Sequence, residues 1–147
     1  MLGQLLKVIR VRHWIKNLFV FIPVFISGNI SNFELLLSSL IIFLAFSFTA
    51  SSIYIINDLA DLKRDQAHPI KKFRPLPSGN LSLFSALICV AMLILGTLFS
   101  LSLVNFMGWQ VILIYFFINI AYSFYIKHIA ILDIVSISSG FVLRVQA

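Results

Sequence analysis

Long apolar runs separated by short polar or charged segments form the dominant pattern along this chain. No Asp, Glu, Lys or Arg occurs within residues 17–33, 35–57 or 75–126. The longest run exceeds the roughly 20 residues of one bilayer crossing, and the polar residues Asn105 and Gln110 divide it. The pattern therefore predicts five membrane-spanning helices, over residues 17–33, 35–57, 81–104, 108–126 and 129–147.

Composition indicates that a bilayer, not water, surrounds this fold. Hydrophobic residues make up 61% of the 147 positions and charged residues 11%, whereas a soluble domain averages about 45–50% and about 25%. A soluble domain of this size lacks the interior to bury so many apolar side chains. We therefore expect an all-α, polytopic transmembrane helical bundle that forms one membrane domain over residues 1–147. The single cysteine, Cys89, excludes an internal disulfide.

Membrane topology explains the net charge of +6. Short cytoplasmic loops of membrane proteins are enriched in Lys and Arg, and ten of the eleven here lie in residues 7–16, in residues 63–74 or at Lys127. The loops predicted on the other side, residues 28–34 and 105–110, contain no Lys or Arg. We expect a multi-pass protein of the plasma (inner) membrane with a cytoplasmic N-terminus, and the charge does not indicate a nucleic-acid partner.

Acidic residues follow the second apolar run in a helical spacing. If the helix continues past the membrane, Asn57, Asp58, Asp61 and Asp65 fall within about a third of its circumference. Carboxylates this close repel one another unless a cation lies between them, and oxygen ligands favour Mg²⁺. Topology does not account for these residues, because Asp contributes little to it. The pattern predicts a magnesium site on Asp58, Asp61 and Asp65.

A basic, proline-containing loop follows directly, with Lys71, Lys72 and Arg74 close together. Carboxylates with metal on one side and basic groups on the other can hold a diphosphate between them, and Arg can bind its oxygens in a fork. The positive-inside rule alone explains part of this basic cluster. The residue types therefore leave open whether each basic side chain contacts substrate.

Two ionisable residues, Asp133 and Arg144, lie within the last apolar run. Each costs about 2.5–3.5 kcal/mol at the centre of a membrane helix, so such residues face the interior of the bundle. Their separation of eleven positions is close to three helical turns, which places them on one face. Substrate contact and a structural role remain open for Asp133. For Arg144 we expect a structural ion pair or backbone contact.

Several segments together resemble one family of membrane enzymes. NDLADLKRD, at residues 57–65, resembles the first aspartate-rich motif of UbiA-type membrane prenyltransferases, NDxxDxxxD, and HPIKKFRPLPSG is similar to the basic loop that follows it. RVRHWIKN near the start and YSFYIKHIAILDIVSISSGFVLRV near the end resemble the decaprenyl-phosphate phosphoribosyltransferase branch. The resemblance covers essentially the whole chain.

This resemblance implies Mg²⁺-dependent group transfer with loss of diphosphate. In the phosphoribosyl branch the donor is phosphoribosyl pyrophosphate and the acceptor is a polyprenyl phosphate, a lipid. The resemblance assigns Mg²⁺ to the three aspartates and phosphate binding to a further set of side chains. That set comprises Asn57, Lys71, Arg74 and Lys127, with Lys16 and Asn17 at the cavity mouth.

The family pattern also implies nine transmembrane helices and a second aspartate-rich motif, whereas this sequence ends at residue 147 within the fifth apolar run. We therefore expect a truncated, N-terminal half that is inactive without a C-terminal half. Two other interpretations stay open: prenyl transfer from an allylic diphosphate to an aromatic acceptor, and a non-catalytic membrane protein. CDP-alcohol phosphotransferases are excluded, because their DGxxAR motif is absent.

Overall fold

The computed structural model describes residues 2–104, 106–124 and 130–147. The described residues form α-helices and two 3₁₀ segments and contain no strand, which confirms the predicted all-helical class. The helices are α1 (Leu2–Ile9), α2 (Ile22–Ile26), α3 (Phe33–Ala60), α4 (Leu62–Ala67), α5 (Leu83–Ser102), α6 (Phe106–Phe124) and α7 (Ala130–Gln146). The 3₁₀ segments are Val11–Phe21 and Lys71–Phe73.

Helix α3 is the central element of the fold. The side chain of Asn32 caps it by accepting hydrogen bonds from the backbone N–H groups of Glu34 and Leu35. Its 28 residues correspond to a length of about 42 Å at 1.5 Å per residue. Helices α1, α5 and α6 and the first 3₁₀ segment all pack against it. Helix α3 is therefore surrounded by other elements of the chain.

Two helices among the described residues, α3 and α5, are long and apolar enough to cross a membrane. Residues Met107–Ser123 of α6 form a shorter apolar helix. Helices α5, α6 and α7 begin and end within one or two residues of the bounds predicted for the last three spans. The total of five spans stays a prediction.

The first predicted span, over residues 17–33, is not one α-helix, so that prediction is wrong. The structure has the 3₁₀ segment Val11–Phe21 followed by the short helix α2. Pro23 lies at the start of α2 and has no N–H to donate to a preceding carbonyl. Gly28, with φ +71°, then lies in the turn that follows α2. Pro23 and Gly28 lie within a run that has no charged residue, and the absence of charge does not reveal that the helix is interrupted there.

The acidic motif is not on one uninterrupted helix either. Helix α3 ends at Ala60, and Asp61, with φ −88° and ψ 4°, separates it from α4. The N–H of Asp61 is shared between the carbonyls of Asn57 and Leu59, which tightens the final turn. The Asp65 N–H still donates to the Asp61 carbonyl at 2.8 Å. The chain thus continues in nearly the helical direction, but with a local break at Asp61.

Small side chains allow the helices around α3 to approach closely. The hydroxyl groups of Thr49 and Thr97 lie 3.3 Å apart between α3 and α5. A Cβ atom at Gly96 would lie 3.0 Å from the ring of Phe48, so a larger residue there would require this ring to shift by a few tenths of an ångström. Phe46 and Ile55 are fully buried on α3. This packing holds the end of α3 in a fixed position relative to α5 and α6.

Candidate functional site

A cavity of about 400 Å³ lies at the C-terminal end of α3, and we call it the first cavity. Its apolar and neutral wall comes from α3 and α6 and includes Tyr54, Asn119 and Tyr122. Its charged and amide-bearing wall consists of Arg10, Asn57, Asp61, Arg64, Lys71 and Arg74. Four of the residues predicted from the sequence to bind metal or diphosphate therefore line one space: Asn57, Asp61, Lys71 and Arg74.

The basic loop folds back onto the acidic motif. The Nδ1 atom of His68 accepts hydrogen bonds from the N–H groups of Ile70 and Lys71 at 3.2 and 3.3 Å, which turns the chain. Leu76 and Leu81 are buried, at 5% exposure each, and anchor the far side of the loop in the core. The loop thereby places Lys71 and Arg74 directly against Asp65.

Arg74 links two of the predicted metal ligands. Its Nη1 atom donates to Asp65 Oδ2 at 2.8 Å and to Asp58 Oδ1 at 3.2 Å. Both carboxylates are buried, at 5% and 1% side-chain exposure for Asp58 and Asp65. A guanidinium shared by two buried carboxylates compensates charge that would otherwise be costly to bury. In this structure Arg74 therefore supplies positive charge at the place predicted for a cation.

Arg10 is a second cation on Asp58, and the sequence interpretation missed it. Its Nη2 atom lies 2.7 Å from Asp58 Oδ1, and its guanidinium lies 4.6 Å from the centre of the Tyr54 ring. Arg10 has φ +55°, a left-handed conformation that costs a non-glycine residue of order 1 kcal/mol. From the sequence Arg10 is only one more basic residue ahead of a span. No local signal indicates the turn that directs it to Asp58, 48 positions away.

One carboxylate oxygen at this site has no hydrogen-bond partner among the described residues. It is Oδ1 of Asp65, which is buried and lies 3.8 Å from Lys71 Nζ. A buried carboxylate oxygen without a donor is unusual, and metal coordination is one way to satisfy it. The oxygens of Asp58, Asp61 and Asp65 are hard donors that suit Mg²⁺. The donor chemistry of the site therefore fits a divalent cation.

Each of the three carboxylates is paired with a basic side chain. Asp61 Oδ2 pairs with Arg64 at 2.9 Å and faces the first cavity, while Asp58 and Asp65 lie behind it against Arg74. Within residues 2–104, 106–124 and 130–147, no group of three or more His, Cys, Asp or Glu side chains is arranged to hold a metal ion. The magnesium site on these aspartates stays a prediction, and it requires arginine to move off the carboxylates.

His13 reports on the electrostatics beside the first cavity. Burial and the nearby charges of Arg10 and Lys16 lower the pKa of His13 below its ordinary value. The folded chain then binds fewer protons than the unfolded chain just below pH 6.5, so its stability rises with pH through that window and is level above it. We expect Lys16→Gln to raise the pKa of His13, as measured by NMR titration of the histidine ring.

Lys7→Gln is the matched control for this titration, since Lys7 is a lysine on α1 that does not contribute to the shift. Its effect on the pKa of His13 should be smaller than that of Lys16→Gln. Equal shifts in the two variants would show that general positive charge, not the position of Lys16, sets the pKa.

A smaller cavity of about 100 Å³, the second cavity, lies beside the first. Arg144 and Lys16 line it, together with Tyr115, Phe141 and two residues shared with the first cavity, Tyr54 and Asn119. Among the described residues, Lys16 therefore lines the second cavity and does not line the first.

Asn17 and Arg144 form one buried network. Arg144 Nε donates to Asn17 Oδ1 at 2.8 Å, and Asn17 Nδ2 donates to Ser47 Oγ at 2.9 Å. Arg144 also donates to the Gly140 carbonyl and to the Tyr115 hydroxyl. Arg144 has a backbone contact, as expected, but no ion pair with a described residue. Asn17, at 1% exposure, is buried and lines neither cavity.

Two predicted site residues fall outside this description. Lys127 lies between residues 124 and 130, outside the described residues. Asp133 belongs to α7, but its side chain is likewise outside what the structure describes. The roles predicted for both residues stay predictions.

Comparison with known proteins gives one family and several relatives. A model of the UbiA prenyltransferase family matches residues 17–147. The chain is 38% identical over 141 residues to the uncharacterized protein y4nM of Sinorhizobium fredii, covering 95% of this chain and 27% of the relative. It is similar to two decaprenyl-phosphate phosphoribosyltransferases, at 35% identity over 156 residues in Mycolicibacterium smegmatis and 33% over 147 residues in Corynebacterium glutamicum.

Coverage of these relatives is one-sided. The two phosphoribosyltransferase alignments include 100% and 97% of this chain but 48% and 44% of the relatives. The chain therefore spans about half the length of these relatives and about a quarter of y4nM.

Proposed function

Because the chain belongs to the UbiA prenyltransferase family, we propose that it forms the donor-binding part of a membrane transferase that acts on a diphosphate. The observation that carries this proposal is the meeting of Arg74 with Asp58 and Asp65 at the first cavity. A diphosphate needs both cationic donors and a metal that its oxygens share with carboxylates. The described residues bring basic side chains and carboxylates together at this cavity.

The names of the relatives support the proposed substrate class. Two relatives at 33–35% identity are decaprenyl-phosphate phosphoribosyltransferases, and we propose the same reaction class here: transfer of phosphoribose from phosphoribosyl pyrophosphate to a polyprenyl phosphate. Prenyl transfer from an allylic diphosphate is the second candidate, favoured by the description of the family itself. The proposed location is the plasma membrane, with the aspartate motif at the cytoplasmic interface.

Each charged residue has a distinct task in the proposed reaction. Arg74 and Lys71 bind the diphosphate of the donor, and Arg10, which shares Asp58 with Arg74, adds a third positive charge. Mg²⁺ held by Asp58, Asp61 and Asp65 would supply further neutralisation of the leaving group. Displacing Arg74 and Arg10 from the carboxylates frees both guanidinium groups to bind phosphate oxygens.

The bond changes place the largest charge at the leaving group. An oxygen of the acceptor phosphate attacks the anomeric carbon of the donor, and the bond from that carbon to the diphosphate breaks. The electron pair of the broken bond leaves with the diphosphate, so negative charge grows beside Lys71 and Arg74. Groups fixed in place before the reaction stabilise this charge without reorganisation. The cavity wall formed by Tyr54 and Tyr122 borders the same space.

Donor binding to the chain in lipid nanodiscs tests this proposal. We expect phosphoribosyl pyrophosphate, with Mg²⁺ present, to bind at least about tenfold more tightly than farnesyl diphosphate. Lys71→Gln should weaken donor binding by about tenfold, because it removes one charge-assisted contact. Isothermal titration calorimetry provides both affinities.

Lys72→Gln is the matched control, because Lys72 contacts the ring of Phe73 and does not line the first cavity. It should leave donor affinity within about twofold, well below the tenfold effect of one charge-assisted contact. Tighter binding of farnesyl diphosphate would favour the prenyl-transfer candidate. No binding of either diphosphate, by a correctly folded chain, would reject the proposed function.

A further inference from the structure

The second cavity contains positive charge that the donor site does not use. Arg144 is 93% buried, at 7% exposure, yet no carboxylate among the described residues pairs with it. A buried charge is stable only when it is paired or fully hydrogen-bonded. Its surroundings therefore indicate either a purely structural network or a missing anionic partner.

The number of N–H donors on Arg144 favours a missing anionic partner. Arginine has five N–H donors, and the described contacts of Arg144 use three of them, to Asn17, Gly140 and Tyr115. Two N–H groups remain without a partner in this part of the chain, and Arg144 lines the cavity. The planar guanidinium is suited to binding an oxyanion through two such donors. The rings of Phe46, Tyr115 and Phe141 keep it in place.

Lys16 brings a second positive charge to the same cavity. The side chain of Lys16 lines the same cavity as Arg144, but it comes from the first 3₁₀ segment, whereas Arg144 comes from α7. Lys16 forms no ion pair with a described residue. Two cations from different elements match a dianion better than a monoanion. A phosphate monoester carries a charge of about −1.5 to −2 at pH 7. A carboxylate would balance only one of the two cations.

The second cavity lies next to the donor site. Tyr54 and Asn119 line both cavities, so a group in one lies across these two side chains from a group in the other. The volume of about 100 Å³ corresponds to roughly three water molecules of about 30 Å³ each. That space accommodates a small oxyanion head group.

We propose that the second cavity holds the phosphate monoester of the polyprenyl acceptor, with Lys16 and Arg144 as its binding residues. This inference rests on the proposed function, because it assigns the acceptor to the space beside the proposed donor. It adds a determinant of acceptor specificity: the cavity selects a phosphorylated lipid over a neutral one. The isoprenoid chain then extends from the cavity into the surrounding membrane.

Binding of farnesyl phosphate, a short polyprenyl monophosphate, to the full chain in nanodiscs tests this assignment. Lys16→Gln should weaken farnesyl phosphate binding by about tenfold and leave farnesol binding unchanged. Arg144→Lys retains the charge but loses the fork, and it should weaken the same ligand by at least about fivefold. Lys63→Gln, at an exposed lysine that lines neither cavity, should have no effect.

Inorganic pyrophosphate with Mg²⁺ separates this proposal from the donor proposal. If Lys16→Gln weakens farnesyl phosphate but not pyrophosphate, the acceptor assignment is supported. This support holds even if pyrophosphate binds to no variant, in which case only the proposed function fails. Unchanged farnesyl phosphate affinity in folded Lys16→Gln and Arg144→Lys variants overturns the assignment. The assignment is also overturned if these variants lose 4-hydroxybenzoate binding but retain farnesyl phosphate binding, because the ligand of the cavity would then be a carboxylate.

Discussion

Replacing both Asp58 and Asp65 with asparagine should abolish the Mg²⁺-dependent part of diphosphate binding, a loss of at least about a hundredfold in affinity. The two carboxylates share Arg74 and include the buried Oδ1 atom that has no hydrogen-bond partner in the described part of the chain. Asparagine retains the size of the side chain but removes its charge, and Mg²⁺ binds neutral amides weakly compared with carboxylates. The measurement is calorimetric titration with phosphoribosyl pyrophosphate, with and without Mg²⁺.

The metal-free titration distinguishes this role from misfolding. Without Mg²⁺ the double variant should bind the donor at least as tightly as the natural chain, because Arg10 and Arg74 are released from their carboxylates. Glu34→Gln provides a matched acidic control at the opposite end of α3, and its titrations should equal those of the natural chain. Mg²⁺-dependent binding that survives in the double variant would show that the metal is held elsewhere.

Asn17→Leu should reduce the free energy of unfolding by about 2–3 kcal/mol. Asn17 accepts a hydrogen bond from Arg144 and donates one to Ser47, so it joins the first 3₁₀ segment to α7 and α3. Interhelical hydrogen bonds in membrane proteins average only about 0.6 kcal/mol. The effect here is larger because the bond to Arg144 is charge-assisted and its loss leaves a buried cation with one partner fewer.

Equilibrium unfolding by SDS in mixed micelles measures this change. Asn29→Leu is the control, because Asn29 is exposed and its side chain donates a hydrogen bond to the neighbouring Ser27. A surface change of this kind is expected to stay within about 0.5 kcal/mol. Equal stability of the two variants would mean that the buried network contributes no more than a surface contact.

Features that depend on near neighbours in the chain were predictable. Arg74 and Lys71 lie nine and six positions after Asp65, so a single turn in the loop is enough to bring them to 2.8 and 3.8 Å from its carboxylate. The alternation of apolar runs with charged loops located α5, α6 and α7 closely. It failed for residues 17–33, because hydrophobicity measures burial and not backbone geometry. Pro23 was visible there, but its effect on a continuous helix was not predictable from the run alone.

Contacts between distant residues were not predictable, and they determine how the cavities are built. Arg10 meets Asp58 across 48 positions, and Arg144 meets Asn17 across 127. Neither pair has a spacing or motif that links its members. Arg144 was assigned to the bundle interior by the cost of charge in lipid, but its partners depend on how α7 and the first 3₁₀ segment pack. Its position beside Lys16 required the folded chain.

By itself, the sequence determined that a bilayer surrounds the fold, that the fold is helical, and that one segment supplies carboxylates and the next supplies basic groups. Composition and local periodicity specify burial and helix formation directly. The tertiary structure alone decided that Arg10 completes the first cavity, that the motif breaks at Asp61, and that Lys16 and Arg144 share a second cavity. The physical reason is that packing between helices sets these distances, and packing depends on the shapes of side chains far apart in the chain.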